Sequence, residues 1–118
     1  MGYQQGTGDL QRGKTTAAVT LGSSNGAASV SCEGTRISLS ITLNGNLAHN
    51  TIAGPITINN PDIKATSVIE SCVQGNVIFS PFDVFAVQDG SCKVEFINYA
   101  GTTIPNGSTD VFSVMIYN

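Results

Sequence analysis

The feature that most constrains the fold of this chain is a strict alternation of apolar and polar residues in the segment 36–43. Ile37, Leu39, Ile41 and Leu43 occupy every second position, and polar residues lie between them. Successive side chains of a β-strand point to opposite faces of its sheet, so a period of two produces one buried and one solvated face. The segment therefore predicts a half-buried strand, which ends in an Asn-Gly-Asn turn sequence.

The composition extends this prediction to the whole chain. Val (10) and Ile (11) outnumber Leu (5), and residues branched at Cβ favour the pleated surface of a sheet. Gly, Ser, Thr and Asn fill 47 of the 118 positions, whereas Asp, Glu, Lys and Arg fill 13. Coiled coils and helical bundles are excluded because no window shows helical periodicity, and 41% apolar residues exclude wholesale disorder.

Turn signals divide the rest of the chain into further short strands. The clearest hairpin joins 84–88 to 91–96 through Asp89-Gly90, a pair that suits the type I′ turn. The further candidate strands are 15–21, 28–32, 55–58, 66–73, 77–80, 83–88, 91–97 and 110–117.

We therefore predict an all-β fold, an antiparallel β-sandwich of about eight or nine short strands with a jelly-roll or immunoglobulin-like arrangement. The sandwich is predicted as a single domain over residues 14–118. Residues 1–13 are rich in Gly and Gln and are predicted to form a flexible N-terminal arm.

Charge, cysteine usage and the chain ends limit the partners. The net charge is −3, and the five basic residues are scattered, so no nucleic acid is expected to bind. The sequence has no apolar stretch of signal-peptide or membrane-anchor length, which predicts a protein that is made inside the cell and does not contact a membrane. Cys32, Cys72 and Cys92 form no C-x-x-C pair and are interpreted as small buried thiols, typical of a reducing cytoplasm. The alternative is one disulfide with the third thiol left over.

One motif suggests nucleotide chemistry. Residues Gly8 to Thr15 match the phosphate-loop pattern G-x-x-x-x-G-K-[ST] at every specified position. A working loop joins a buried strand to a helix whose N-terminus faces the phosphate. Residues 1–7 contain no apolar run for that strand, and β-branched residues with a break at Gly22 follow where the helix should be. We interpret the match as a coincidence and expect no cofactor.

Other catalytic and metal-binding patterns are weak. His49 is the only histidine, which excludes sites that need several imidazoles, and its loop-like surroundings indicate a solvated side chain. The eight acidic residues are well separated along the chain, although two could converge in space. We predict no catalytic residue, no metal site and no enzymatic activity.

Six stretches of strand and turn residues cover nearly the whole chain after the arm: 14–21, 34–39, 47–63, 84–87, 89–98 and 111–118. In this order they resemble a family of small β-rich virion proteins of tailed bacteriophages, notably marine phages. The chain departs from that pattern by a longer segment, 22–33, which could mark a specialised surface loop.

The resemblance implies a structural role on the phage particle, as a head decoration, knob or fibre-associated protein. The expected location is the virion surface after assembly in the host cytoplasm, and the expected partners are the major capsid protein or other virion proteins and further copies of the chain. The arm is the candidate anchor to a neighbouring subunit. Its candidate contact residues are Tyr3, Gln4, Gln5, Leu10 and Arg12.

Two alternatives belong to other classes of protein. The first is a carbohydrate-binding or adhesion module at a fibre tip, which sandwiches often form and which binding to a glycan array would favour. The second is a bacterial fibre subunit, which is expected to have a secretory leader and a paired set of cysteines.

The interpretation of the phosphate-loop match can be tested by calorimetric titration with ATP and GTP. We expect no heat of binding, because the match lacks the strand and helix that make such a loop work. Nucleotide binding that the substitution Lys14→Ala abolishes would contradict this interpretation.

Overall fold

The computed structural model describes residues 14–74 and 80–118, which form eight strands and a short 3-10 turn at Ser23–Asn25. The strands are β1 (Lys14–Thr20), β2 (Ala28–Ser31), β3 (Arg36–Thr42), β4 (Ile52–Asn59), β5 (Val68–Gln74), β6 (Ser80–Gln88), β7 (Ser91–Ile97) and β8 (Thr109–Tyr117).

The strands form two four-stranded sheets that pack face to face, which confirms the predicted all-β sandwich. The first sheet has the order β1-β3-β8-β5 and the second the order β2-β4-β7-β6. Four of the six strand pairs among the described residues are antiparallel, as predicted, but β1 pairs with β3 and β2 with β4 in parallel. These pairs are parallel because the chain changes sheet and reverses direction at each step from β1 to β4.

The strand predictions match the structure closely in the described ranges. The candidate 91–97 coincides with β7, and the hairpin between β6 and β7 is confirmed. Its turn is not type I′, however, because Gly90 has a φ of 88° while Asp89 is outside the positive-φ region. Most of the candidate strand 77–80 and the whole arm 1–13 lie outside the described residues.

The segment 22–33 is not simply a surface loop. It contains the 3-10 turn and β2, whose residues pair with β4 from Ile56 to Asn59. The turn folds back on itself, since the Gly22 and Gly26 backbones form an isolated bridge. A Cβ atom at Gly22 would lie 2.5 Å from the Ala27 carbonyl oxygen, so this fold-back requires glycine.

The core lies between the two sheets and follows the alternation of the sequence. Ile37, Leu39 and Ile41 of β3 are all buried, as their spacing predicted. Phe96 of the second sheet meets Phe112 of the first, with ring centroids 4.4 Å apart and planes inclined by 45°. The two rings join the sheets at the centre of the core.

Three buried asparagines hold the loops in place, one each beside β2, β4 and β7. Asn98 donates from Nδ2 to the carbonyl oxygens of Leu47 and Thr102, at 2.9 and 3.0 Å, and accepts from the Ala100 N–H. Both ends of its amide are therefore used, which is what a buried polar side chain requires.

The other two asparagines repeat this arrangement at other loops. Asn25 donates to the Gly45 carbonyl oxygen at 3.0 Å and accepts from the Asn44 N–H at 2.7 Å. Asn60 donates to the Gly34 carbonyl oxygen at 2.9 Å and accepts from the Asp62 N–H at 2.8 Å. Each asparagine thus ties a distant loop to its own segment.

We predict that Asn98→Ala lowers the free energy of unfolding by about 2 to 4 kcal/mol, because it removes the three hydrogen bonds that the buried amide makes to backbone groups of Leu47, Ala100 and Thr102. The matched control is Asn59→Ala at an exposed position of β4, for which we expect a change below about 0.5 kcal/mol. Urea titration of both variants measures the difference, and equal stabilities would contradict the role assigned to Asn98.

Candidate functional site

The outer face of the second sheet carries charge at its centre. The register of the hairpin places Asp83 beside Glu95 and Phe85 beside Lys93. Lys93 and Glu95 are outward positions of β7, since the adjacent residues Cys92 and Val94 are buried. Charged groups are costly to remove from water, so this face suits contact with solvent.

The outer face of the first sheet is different. Its charged residues share one row near one end of the sheet, in which Lys14 and Arg36 lie on one side of Met115 and Glu70 on the other. Beyond that row the face has no charged residue in the described part of the sheet. We call this part the uncharged face, and its central residues are Thr16, Ala18, Ser38, Ser40, Val111 and Ser113.

A shallow depression of about 320 Å³ lies on the uncharged face next to β1. Short side chains produce it, because Ser, Thr and Ala leave the sheet backbone close to the surface. Its lining residues are Thr16, Ala17, Ala18, Ser38, Ser40 and Val111.

The uncharged face ends at an open strand edge. Among the described residues, β3 is the only strand hydrogen-bonded to β1. The Leu21 N–H donates to the Thr42 carbonyl oxygen at 3.0 Å, which fixes which backbone groups of β1 face β3. Because direction alternates along a strand, the N–H and C=O groups of Thr16, Ala18 and Thr20 point away from the sheet.

The other sheet edges carry features that discourage strand addition. β2 has only four residues, and β6 contains Pro81 and two register shifts. β5 presents the exposed carboxylate of Glu70. By contrast, β1 has seven residues in continuous register with β3 and no proline, bulge or charge after Lys14. A long edge of this kind is a template for a further strand.

A hydrogen bond connects Glu70 of the charged row to Tyr117, which lies one row nearer the end of the sheet. The Tyr117 hydroxyl donates to Glu70 Oε1 at 2.9 Å. This bond raises the pKa of Tyr117, because ionisation would break the bond and place a second negative charge beside the carboxylate. The Tyr117 hydroxyl therefore stays protonated at neutral pH and keeps its hydrogen bond to Glu70.

The three thiols are free and lie in different environments. Cys92 is buried, and this burial, helped by the neighbouring Cys32, raises its pKa to about 11. Burial also raises the pKa of Cys32, partly offset by a hydrogen bond from Asn60. The prediction of a buried thiol is wrong for Cys72, which is exposed at an outward position of β5 opposite Ser113.

The phosphate-loop match falls partly within the described residues. Lys14 and Thr15 lie in β1, where they pair with Arg36 and Ile37, and the Thr15 hydroxyl donates to the Glu33 carbonyl oxygen. A strand thus occupies the place where a phosphate loop needs a helix. Residues 8–13 lie outside the described ranges, as do the five candidate contact residues of the arm, Tyr3, Gln4, Gln5, Leu10 and Arg12.

The remaining candidate groups do not assemble into one centre. His49 is exposed, and its Nδ1 donates to the Ala100 carbonyl oxygen. Asp83 and Glu95 do converge, but in residues 14–74 and 80–118 no group of three or more His, Cys, Asp or Glu side chains could hold a metal ion. Over the same residues, no helix has the length and apolar character to span a membrane.

Exposed aromatic side chains, which would favour the carbohydrate-binding alternative, are divided between the two ends of the sandwich. Tyr99 is 61% exposed and follows β7 at one end, with Phe82 near the same end in β6. Tyr117 is at the opposite end, where β8 finishes beside Val68.

Comparisons with protein-family models, curated proteins and solved structures find no match to this chain. The resemblance to phage virion proteins therefore stays a prediction.

Sequence reasoning missed the uncharged face and the open edge as features. The alternation in β3 and β8 indicates which residues point outward, yet it does not indicate which strands are neighbours. The signal that could have found the edge is the run 15–20, which is long, extended and free of charge and proline.

We predict that a bulky maleimide modifies Cys72 rapidly in the folded protein, because that thiol is exposed. Cys92 is expected to react only on unfolding, since its thiol is buried and its pKa is raised to about 11. Peptide mass spectrometry after brief labelling measures both. Rapid labelling that persists in the variant Cys72→Ser and is lost in Cys92→Ser would contradict the placement of these strands.

Proposed function

We propose that this chain is a non-enzymatic structural protein of a tailed-phage particle, a capsid decoration or knob protein on the head surface that self-associates. The support from the sequence is its resemblance to small virion proteins. The observation that carries the proposal is the difference between the two outer faces, of which one is uncharged over most of its area and the other carries Asp83, Lys93 and Glu95.

This difference suits a protein that is fixed on a surface with one side toward its support. Covering the uncharged face removes hydroxyl and aliphatic groups from water, which costs less free energy than removing the ionised groups of the other face. The three asparagines that hold the loops fit the same role, because a decoration protein contributes its shape and must keep it.

Mass spectrometry of purified particles of the phage that encodes this chain is the first test of the proposal. We expect the chain among the virion proteins, at a copy number that follows the symmetry of the head. A chain that is abundant in the lysate and absent from the purified particles would contradict the proposal.

Rebinding of the purified chain to particles that lack it tests which face is used. We predict that Ser113→Arg, at the centre of the uncharged face, prevents rebinding because a charge would be buried there. The matched control is Ser91→Arg on the outer face of the second sheet, which is expected to bind like the unmodified chain. The reverse pattern would show that the charged face makes the contact.

A further inference from the structure

We propose that β1 of one copy pairs antiparallel with β1 of a second copy, so that two first sheets join into one eight-stranded sheet. The inference deepens the self-association in the proposed function and rests on that part alone. The partner is thus a second copy of this chain, and the surface is the edge from Thr15 to Thr20.

The need for a partner follows from the backbone. In the described part of the chain β1 has a strand on one side only, and the N–H and C=O groups of Thr16, Ala18 and Thr20 face the other side. An added strand pairs these groups without any rearrangement of β1 and β3. The other edges are short, bulged or charged, which leaves β1 as the edge where such addition meets least resistance.

The edge is complementary to itself. A two-fold axis at Ala17 places Thr16 of one copy opposite Ala18 of the other, and Thr15 opposite Val19. The residues 15–20 contain no charge, so the pairing sets no like charges against each other. A two-fold arrangement also closes after two copies, unlike a head-to-tail addition that would continue into a fibre.

The second sheet leaves room for this pairing. β2 lies beside β1 on the same side of the sandwich and is the edge strand of its own sheet. It has only four residues, Ala28–Ser31, all with small side chains or Val. Two copies joined at β1 would bring their β2 strands near each other, and β2 itself carries no bulky or charged side chain.

Sedimentation of the purified chain across the micromolar range tests the pairing. We expect a species of twice the monomer mass of 12.2 kDa that dissociates on dilution. The variant Ala18→Pro removes an outward N–H while keeping the bonds from β1 to β3, and it should be a folded monomer. The control Ser113→Lys changes the uncharged face away from the edge and should remain a dimer.

Amide hydrogen exchange of the unmodified chain gives a second test that requires no variant to fold. The amides of Thr16, Ala18 and Thr20 should exchange slowly at high concentration and quickly after dilution. Those of Ala17 and Val19, which face β3, should stay slow in both conditions.

Three outcomes would overturn the pairing: a monomer at all concentrations, a dimer that Ala18→Pro leaves intact, or protection of the Thr16, Ala18 and Thr20 amides that is independent of concentration. The last would assign the edge to a segment of the same chain. All these measurements use the purified chain, so failure of the pairing and failure of particle attachment are distinguishable.

Discussion

The structure depends on the apolar contact between the two sheets, because each strand can bury only one of its faces. Phe96 and Phe112 meet at the centre of this contact, surrounded by the buried aliphatic side chains of β3, β4, β7 and β8. Once these inward positions are fixed, every alternate residue must point outward. The two outer faces are therefore free to differ in charge, and the function we propose uses that difference.

Hydrogen bonds of buried side chains hold the loops at the ends of the sandwich, whereas apolar contacts hold its middle. Asn25, Asn60 and Asn98 each use both ends of a buried amide to connect backbone segments that are far apart in sequence. Ser71 of β5 is the contrasting case, since its buried hydroxyl has no hydrogen-bond partner among the described residues. Polar satisfaction is thus strongest at the loops and weaker at the β5 edge.

Local patterns in the sequence predicted the strands, but they did not predict the contacts between residues that are distant along the chain. The alternation around Leu39 located β3, and the Asp89-Gly90 pair located the hairpin, because both signals lie within a few residues. The parallel pairing of β1 with β3 was not predictable, since periodicity does not specify a neighbour. Nothing in the sequence marked Asn98 as buried. The predicted hairpin made the strands of Asp83 and Glu95 neighbours, but it did not include the register shift between Phe85 and Gln88 that sets these two residues side by side.

The most direct test of the account is a cryo-electron microscopy map of the phage particle at a resolution that separates the two sheets. The account predicts density for the sandwich on the head, with the outer face of the first sheet against the particle and Asp83, Lys93 and Glu95 toward solvent. A map in which the face that carries these three residues makes the contact, or in which the sandwich is absent, would contradict it.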